Sequence, residues 1–183
     1  MDANQFLLFC LSSIDDAAEK TKFEKIYYAH RHAMLYTAQQ ILRDQHLAED
    51  AVQEAFLRIT KHLHKINVDD CHKTKAFVVI IVKNIAINMY NKRKKTAEVF
   101  LFEEVVENAI SVDLSGEDND IAKIVQAMKR LPEIYAHIMM LRYLHDLNDK
   151  ACAQLLNVSE AAVRKRLERG RALLKNELEK ESE

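Results

Sequence analysis

Three groups of side chains in this sequence have types and spacing suited to recognition. On one predicted helix, Asp50, Gln53, Glu54 and Leu57 recur at i, i+3, i+4 and i+7, so two carboxylates and an amide share a stripe with a leucine. The opposite side collects Leu47, Ala51, Val52, Ala55, Phe56, Ile59 and Leu63, which belong in a core. Solvation alone gives no reason to end an acidic stripe on an apolar residue, so the stripe raises the question of what it meets.

The second group is the ladder Asn84, Asn88 and Asn91, interleaved with Lys83, Tyr90 and Lys94 as a basic stripe and followed by Lys92 and Arg93. Asparagine pairs bidentately with adenine, cations hold phosphates, and an aromatic among cations suits exposed bases. Asn84 lies close enough to an apolar run to be a hydrogen-bonded buried asparagine instead, and a KRKK run is also an ordinary solvated sequence. The ladder by itself leaves both readings open.

The third group follows Leu156-Asn157-Val158-Ser159, a tight turn in which asparagine can take the left-handed conformation and Ser159 can cap the next helix. This is helix-turn-helix spacing. Beyond the turn, Val163, Leu167 and Leu174 point inward, leaving Arg164, Lys165, Glu168, Arg171 and Lys175 outward, with Arg169 in the same basic block. Arginine can bridge guanine O6 and N7, and glutamate can accept from cytosine N4. The plainer alternative is a charged helix on a small bundle.

Two glycines and one proline among 183 residues leave few turn formers, which predicts an all-α protein with short connections. Helices are expected from about Lys22 to Leu42, preceded by a shorter one; from an Asp44 cap to about His64; and from about Lys75 to Lys94. Asn67 to Thr74 reads as a polar loop between the last two. Ala76 to Val82 is apolar on all sides and β-branched enough for a strand, but a lone strand has no partner for its backbone, so helix is the assignment. Further helices are expected over Ile121 to Arg130, Glu133 to Tyr143, Asn148 to Leu156 and Ser159 to about Glu179.

Net charge is −1, yet charge is segregated: Lys83 to Lys95 holds five bases and no acid, and Thr96 to Asp120 holds eight acids and no base. The domains expected are 1–95 and 121–183, both helical, joined by an acidic linker over 96–120 that carries Phe100, Leu101 and Phe102 and should dock on something. Cys10, Cys71 and Cys152 lack metal-ligand spacing, and the longest apolar run is far too short to span a bilayer, so a cytoplasmic protein with reduced thiols and no membrane insertion is expected. The pairs His30/His32 and His62/His64 are spaced i, i+2, on different helix faces, and there is no glycine loop for phosphate. No metal, cofactor, catalytic residue or enzymatic activity is expected.

The segments FEKIYYAHRHAMLYTAQQILRDQHLAEDAVQEAFLRITKHLHKI, FVVIIVKNIAINMYNKRKK and LPEIYAHIMMLRYLHDLNDKACAQLLNVSEAAVRKRLERGRALL closely resemble bacterial sigma factors of the extracytoplasmic-function (ECF) group, in the same order. The resemblance implies a sigma region 2-like domain that docks on the clamp helices of core RNA polymerase and opens the minus-ten promoter element. It also implies a region 4-like domain that binds the minus-thirty-five element and the polymerase flap. On that footing Asp50, Gln53, Glu54 and Leu57 become the polymerase-binding stripe, with carboxylates suited to a basic surface and a leucine for apolar burial. The loop beginning at Asn67 corresponds to the segment that captures a flipped base, and Lys75, Asn84, Asn88, Asn91, Lys92 and Arg93 match the promoter-opening helix. Binding extruded bases without ATP must offset about 1.4 kcal/mol per stacked step. Ser159, Arg164, Lys165, Glu168, Arg169 and Arg171 fall on the minus-thirty-five reader, and the linker on the connector that enters the polymerase cleft.

The sequence departs from the family pattern at Phe77, Ile80, Val82, Ala151, Cys152, Asn157 and Glu168, the last of which bears on the minus-thirty-five preference. The resemblance also implies a possible anti-sigma partner, which no residue here names. The runner-up is a free-standing helix-turn-helix regulator, for which the Asp50 stripe would have no use. A third reading is an interaction protein that uses the acidic segment to bind a basic partner and shows no DNA sequence preference.

Overall fold

The computed structural model describes residues 3–66, 71–96 and 119–180, and there every regular element is helical. The helices are α1 (Ala3–Ser12), α2 (Ala17–Leu42), α3 (Gln45–Thr60), α4 (Cys71–Thr96), α5 (Asn119–Arg130), α6 (Glu133–Tyr143), α7 (Asp149–Leu156) and α8 (Glu160–Lys180). A single 3₁₀ turn, Leu63–Lys65, follows α3. They form two compact units, α1 to α4 and α5 to α8.

In the first unit the organising element is α4. Ala76 to Val82 is buried at every position, so the segment must be surrounded, and α2 and α3 both pack against it as well as against each other. The run that could have been a strand is therefore an interior helix. Lys83 continues this buried stretch at 1% exposure, which removes it from the expected basic stripe: α4 has no free side at that point. The turn between α2 and α3 is two residues long. Arg43 takes a left-handed conformation (φ 50°) and donates its backbone N–H to Gln39, and Asp44 then caps α3 by accepting from the Leu47 N–H at 3.1 Å. Asp16 does the same for α2 by accepting from the Glu19 N–H at 2.8 Å, which starts that helix at Ala17 instead of near Lys22.

Three rings fix the packing of α2 on α3: Phe56 meets Phe23 edge-on at 5.7 Å and Tyr27 at 4.8 Å. Phe56 is fully buried. Leu47, expected among the core residues, is half-buried at the start of α3, and Ala48 takes the buried position. Cys10 of α1 is buried, and burial pushes its thiol up to about 11, so it stays protonated and unreactive.

Residues 71 to 74, expected in a loop, are the first turn of α4, and Thr74 is buried; 67–70 lie outside the described residues. Thr96, Asn119 and Asp120, expected in the linker, are helical, and the rest of that segment, 97–118, likewise lies outside them.

In the second unit, α8 packs on α5, α6 and α7. Gly170 lets it approach α6: a Cβ there would sit 2.8 Å from the Met139 sulfur, which is itself buried. No other residue type brings the two backbones so close.

Phe56→Ala should lower the stability of the first unit by about 3–5 kcal/mol, and Asp44→Ala by about 1 kcal/mol. Urea titrations followed by circular dichroism test both values. Loss of less than about 1 kcal/mol at Phe56 would contradict the packing described.

Candidate polymerase and nucleic-acid surfaces

The acidic stripe is assembled by α3. Ala48, Ala51, Val52, Ala55, Phe56 and Ile59 bury its inner face, which turns Asp50 and Glu54 to solvent with Gln53 and Leu57 half-buried at their margin. The four candidates are brought together on one surface. They are not equivalent, however. Glu54 forms an ion pair with Arg58 one turn on, at 2.9 Å, and Arg58 is the more buried partner. Asp50 is therefore the less encumbered acid for an incoming cation. An exposed i, i+4 pair contributes only about 0.3–0.5 kcal/mol, so a partner can displace it cheaply.

The candidates on α4 do not form one patch. Because the middle of the helix is enclosed, Lys75 emerges at its N-terminal end, and Asn88, Asn91, Lys92 and Arg93 emerge at its C-terminal end. Thirteen residues separate Lys75 from Asn88, about 20 Å along the axis. Asn84 lies between them, half-buried, and its side-chain amide donates to the Ile80 carbonyl at 2.7 Å. The side chain thus bonds back to its own helix backbone. Asn67 lies outside the described residues. Arg93 reaches Asp44 at 3.7 Å, so the cap of α3 also holds a cation at the far end of α4.

Sequence spacing did not anticipate His30. It is buried on α2, and burial lowers its pKa, with the Lys75 ammonium lowering it further. The histidine pairs are split by their faces: His30 and His62 are buried, His32 and His64 exposed. Among the described residues no group of three or more His, Cys, Asp and Glu side chains is arranged to hold a metal, and no helix is long and apolar enough to cross a membrane.

The turn between α7 and α8 is built as the side-chain chemistry requires. Asn148 caps α7 through the Ala151 N–H at 2.9 Å, Asn157 takes the left-handed conformation at φ 54°, and Ser159 accepts from the Ala162 N–H at 3.1 Å. Asparagine tolerates that backbone, so the turn costs little here. Val163 and Leu167 are buried, leaving Arg164, Lys165, Glu168 and Arg169 exposed together with Ser159. Ser159 serves as the cap, and Arg164 lies 3.9 Å from Glu160.

Arg171 differs from the rest of this set. Its Nε donates to the Tyr143 hydroxyl at 2.8 Å, which draws it away from the outward face to the rim of a groove between α5, α6 and α8. The groove encloses about 580 Å³ and is lined by Ile124, Met128, Met139, Tyr143, Leu174 and Leu178. Leu174, expected to point into the core, is half-buried here as part of its wall. The signal in the sequence was the continuation of the α8 apolar stripe through Leu178, past the residues needed to hold the turn.

Comparison with known proteins gives a consistent result. Residues 26–96 match Sigma-70 region 2 and residues 121–174 match Sigma-70, region 4. The chain is 29% identical over 155 residues to the ECF RNA polymerase sigma factor SigM of Bacillus subtilis, covering 83% of this chain and 92% of that protein. It is 29% identical over 160 residues to the RNA polymerase sigma factor SigZ of the same organism, covering 85% and 80% respectively.

The neutral state of His30 has a pH consequence. Its folded pKa lies below the unfolded value of about 6.5, so the unfolded chain gains a proton first as pH falls. Stability should therefore decline on going from pH 7.5 to 5.5. His30→Gln should flatten the pH dependence of the unfolding midpoint; a slope equal to that of the parent would contradict the assignment.

Proposed function

Because the chain belongs to the sigma-70 family, ECF group, and is an alternative sigma factor that directs transcription initiation by RNA polymerase at promoter DNA, we propose how its two units share that task. The exposed stripe of α3, Asp50, Gln53, Glu54 and Leu57, is the surface that docks on the clamp helices of the core enzyme. Two carboxylates meet a basic partner surface, and the half-buried Leu57 loses its remaining contact with water at the centre of the contact. The single observation that carries this reading is the coexistence on one chain of that stripe, solvent-facing on a well-packed helix, and a capped helix-turn-helix with a cationic outer face. A free-standing regulator would need only the second.

The C-terminal end of α4, with Asn88, Asn91, Lys92 and Arg93, holds the opened minus-ten element, and Lys75 contacts the strand separately at the other end together with the segment that begins at Asn67. The asparagines supply base-edge contacts and the cations supply phosphate contacts. Asn84, half-buried between the two ends, has one amide hydrogen committed to the Ile80 carbonyl and is the least available of the three asparagines. Melting requires no ATP in this scheme: capture of unstacked bases offsets the stacking lost. Arg164, Lys165, Glu168 and Arg169 read the minus-thirty-five element, with Ser159 fixing the start of the reading helix. Arg171 belongs to the groove, and the groove is the seat for the polymerase flap, where an apolar segment can bury against Met139, Leu174 and Leu178. An anti-sigma protein would silence the factor by covering the α3 stripe, and the protein acts in the cytoplasm, where the polymerase is.

Run-off transcription with core polymerase on promoter-bearing fragments should give discrete starts only when the chain is added. Asp50→Lys should lower core affinity about 10-fold with the fold intact, as read by circular dichroism and pull-down. Glu54→Lys is the less clean test, because it also places like charges at Glu54 and Arg58. Arg164→Ala should cost about 1–3 kcal/mol at the cognate minus-thirty-five sequence and little elsewhere. A uniform loss across sequences would mark a phosphate contact, and specific high-affinity binding by the chain alone with no effect on the polymerase would favour the free-standing regulator.

A further inference from the structure

Arg93 lies at the exposed C-terminal end of α4, on a helix with no acid of its own: from Cys71 to Thr96 there is no aspartate or glutamate. The i, i+4 pairing that holds Arg58 on α3 is therefore closed to it. Its carboxylate comes instead from the turn that joins α2 to α3, where the Asp44 Oδ2 lies 3.7 Å from the Arg93 Nη1. The Oδ1 of the same group accepts from the Leu47 N–H at 3.1 Å. Asp44 thus starts one helix and meets a cation at the end of another.

Capping alone does not call for a charge. An N-cap needs one acceptor oxygen, and asparagine and serine supply it as well as aspartate does. This chain uses Asn148 in that way for α7 and Ser159 for α8. What position 44 adds is a second oxygen and a negative charge, and the second oxygen is the one nearest Arg93. Exposed ion pairs are weak in large part because two side chains must be held in one geometry. Here one of the two is already fixed: the short Asp44 side chain is tied by its bond to Leu47, and the left-handed Arg43 sets the turn that carries it. The Arg93 side chain stays 64% exposed, so its guanidinium remains open to a phosphate.

We propose that Asp44 is a positioning residue for promoter opening: it orients the Arg93 guanidinium before the separated strand arrives, without touching DNA itself. The inference rests on the reading of Arg93 as a phosphate contact of the minus-ten element. An exposed arginine at a helix end samples many rotamers, and a strand that captures it must freeze them; one that is already held loses less on binding. Asp44 also subtracts from the positive charge that Lys92 and Arg93 give to this end of α4. Removing its charge should therefore strengthen non-specific attraction to duplex DNA while slowing the opening step. These effects have opposite signs, which separates positioning from simple electrostatic attraction.

The test uses the full chain with saturating core RNA polymerase on a promoter fragment, following opening by the reactivity of unpaired thymines to permanganate. Asp44→Asn keeps the oxygen that caps α3 and removes the charge. It should leave the unfolding midpoint of the chain unchanged, slow opening about 2- to 5-fold, and bind non-promoter duplex at least as well as the parent. Asp44→Glu keeps the charge on a poorer cap, so it should lower the midpoint yet open faster than Asp44→Asn. A role confined to capping predicts the reverse order of opening rates, and that order would overturn the proposal. In an Arg93→Ala background Asp44→Asn should add no further defect; a defect of undiminished size there would overturn it as well. Arg93→Ala by itself separates the two readings. Slow opening by Arg93→Ala with parent-like opening by Asp44→Asn sinks this inference alone, whereas parent-like opening by Arg93→Ala sinks the assignment of Arg93 and the inference with it.

Discussion

The enclosure of α4 is the constraint on which the first unit depends. Seven consecutive apolar residues, Ala76 to Val82, leave a helix with no solvent side, and such a helix is stable only with neighbours on all sides. α2 and α3 provide two of them. Once they are committed inward, their remaining faces are determined by helical geometry: the acidic stripe of α3 and the outer face of α2 must point out. The exposed faces of α2 and α3 are in this sense consequences of the core.

The same constraint divides the functional part of α4. Side chains are fully exposed only where the helix leaves its sheath, so the exposed positions of α4 are confined to its two ends. Asp44 connects one of those ends to α3. One carboxylate oxygen caps α3 and the other faces Arg93, so the start of α3 and a cation near the C-terminal end of α4 share a side chain. The pair is exposed and weak on its own. Its value is positional: it fixes where the guanidinium waits.

In the second unit, close approach plays the part that enclosure plays in the first. Gly170 brings α8 against Met139 of α6, and Met139 also lines the groove. The outward side of α8 stays cationic, while Arg171 is held at the groove by Tyr143.

Much of this was legible in the residues. The caps at Asp44, Asn157 and Ser159, the break at Pro132 and the exposed stripe of α3 follow from local rules that involve only neighbouring positions. What was not legible depended on contacts distant in sequence. Lys83 reads as one more cation until the packing around α4 is known, and it is buried. The hydrogen bond from Arg171 to Tyr143, 28 residues away, is not encoded in the spacing of α8. The groove and the burial of His30 are likewise products of tertiary packing, which periodicity does not encode.

The central claim is that α3 carries the polymerase-docking surface. Placing a photoreactive amino acid at Leu57 of the full chain and irradiating it with core RNA polymerase tests this directly. The account predicts a cross-link to the clamp helices that is lost when Asp50→Lys is introduced; cross-linking to DNA alone, or none to the core enzyme under conditions that support initiation, would contradict it.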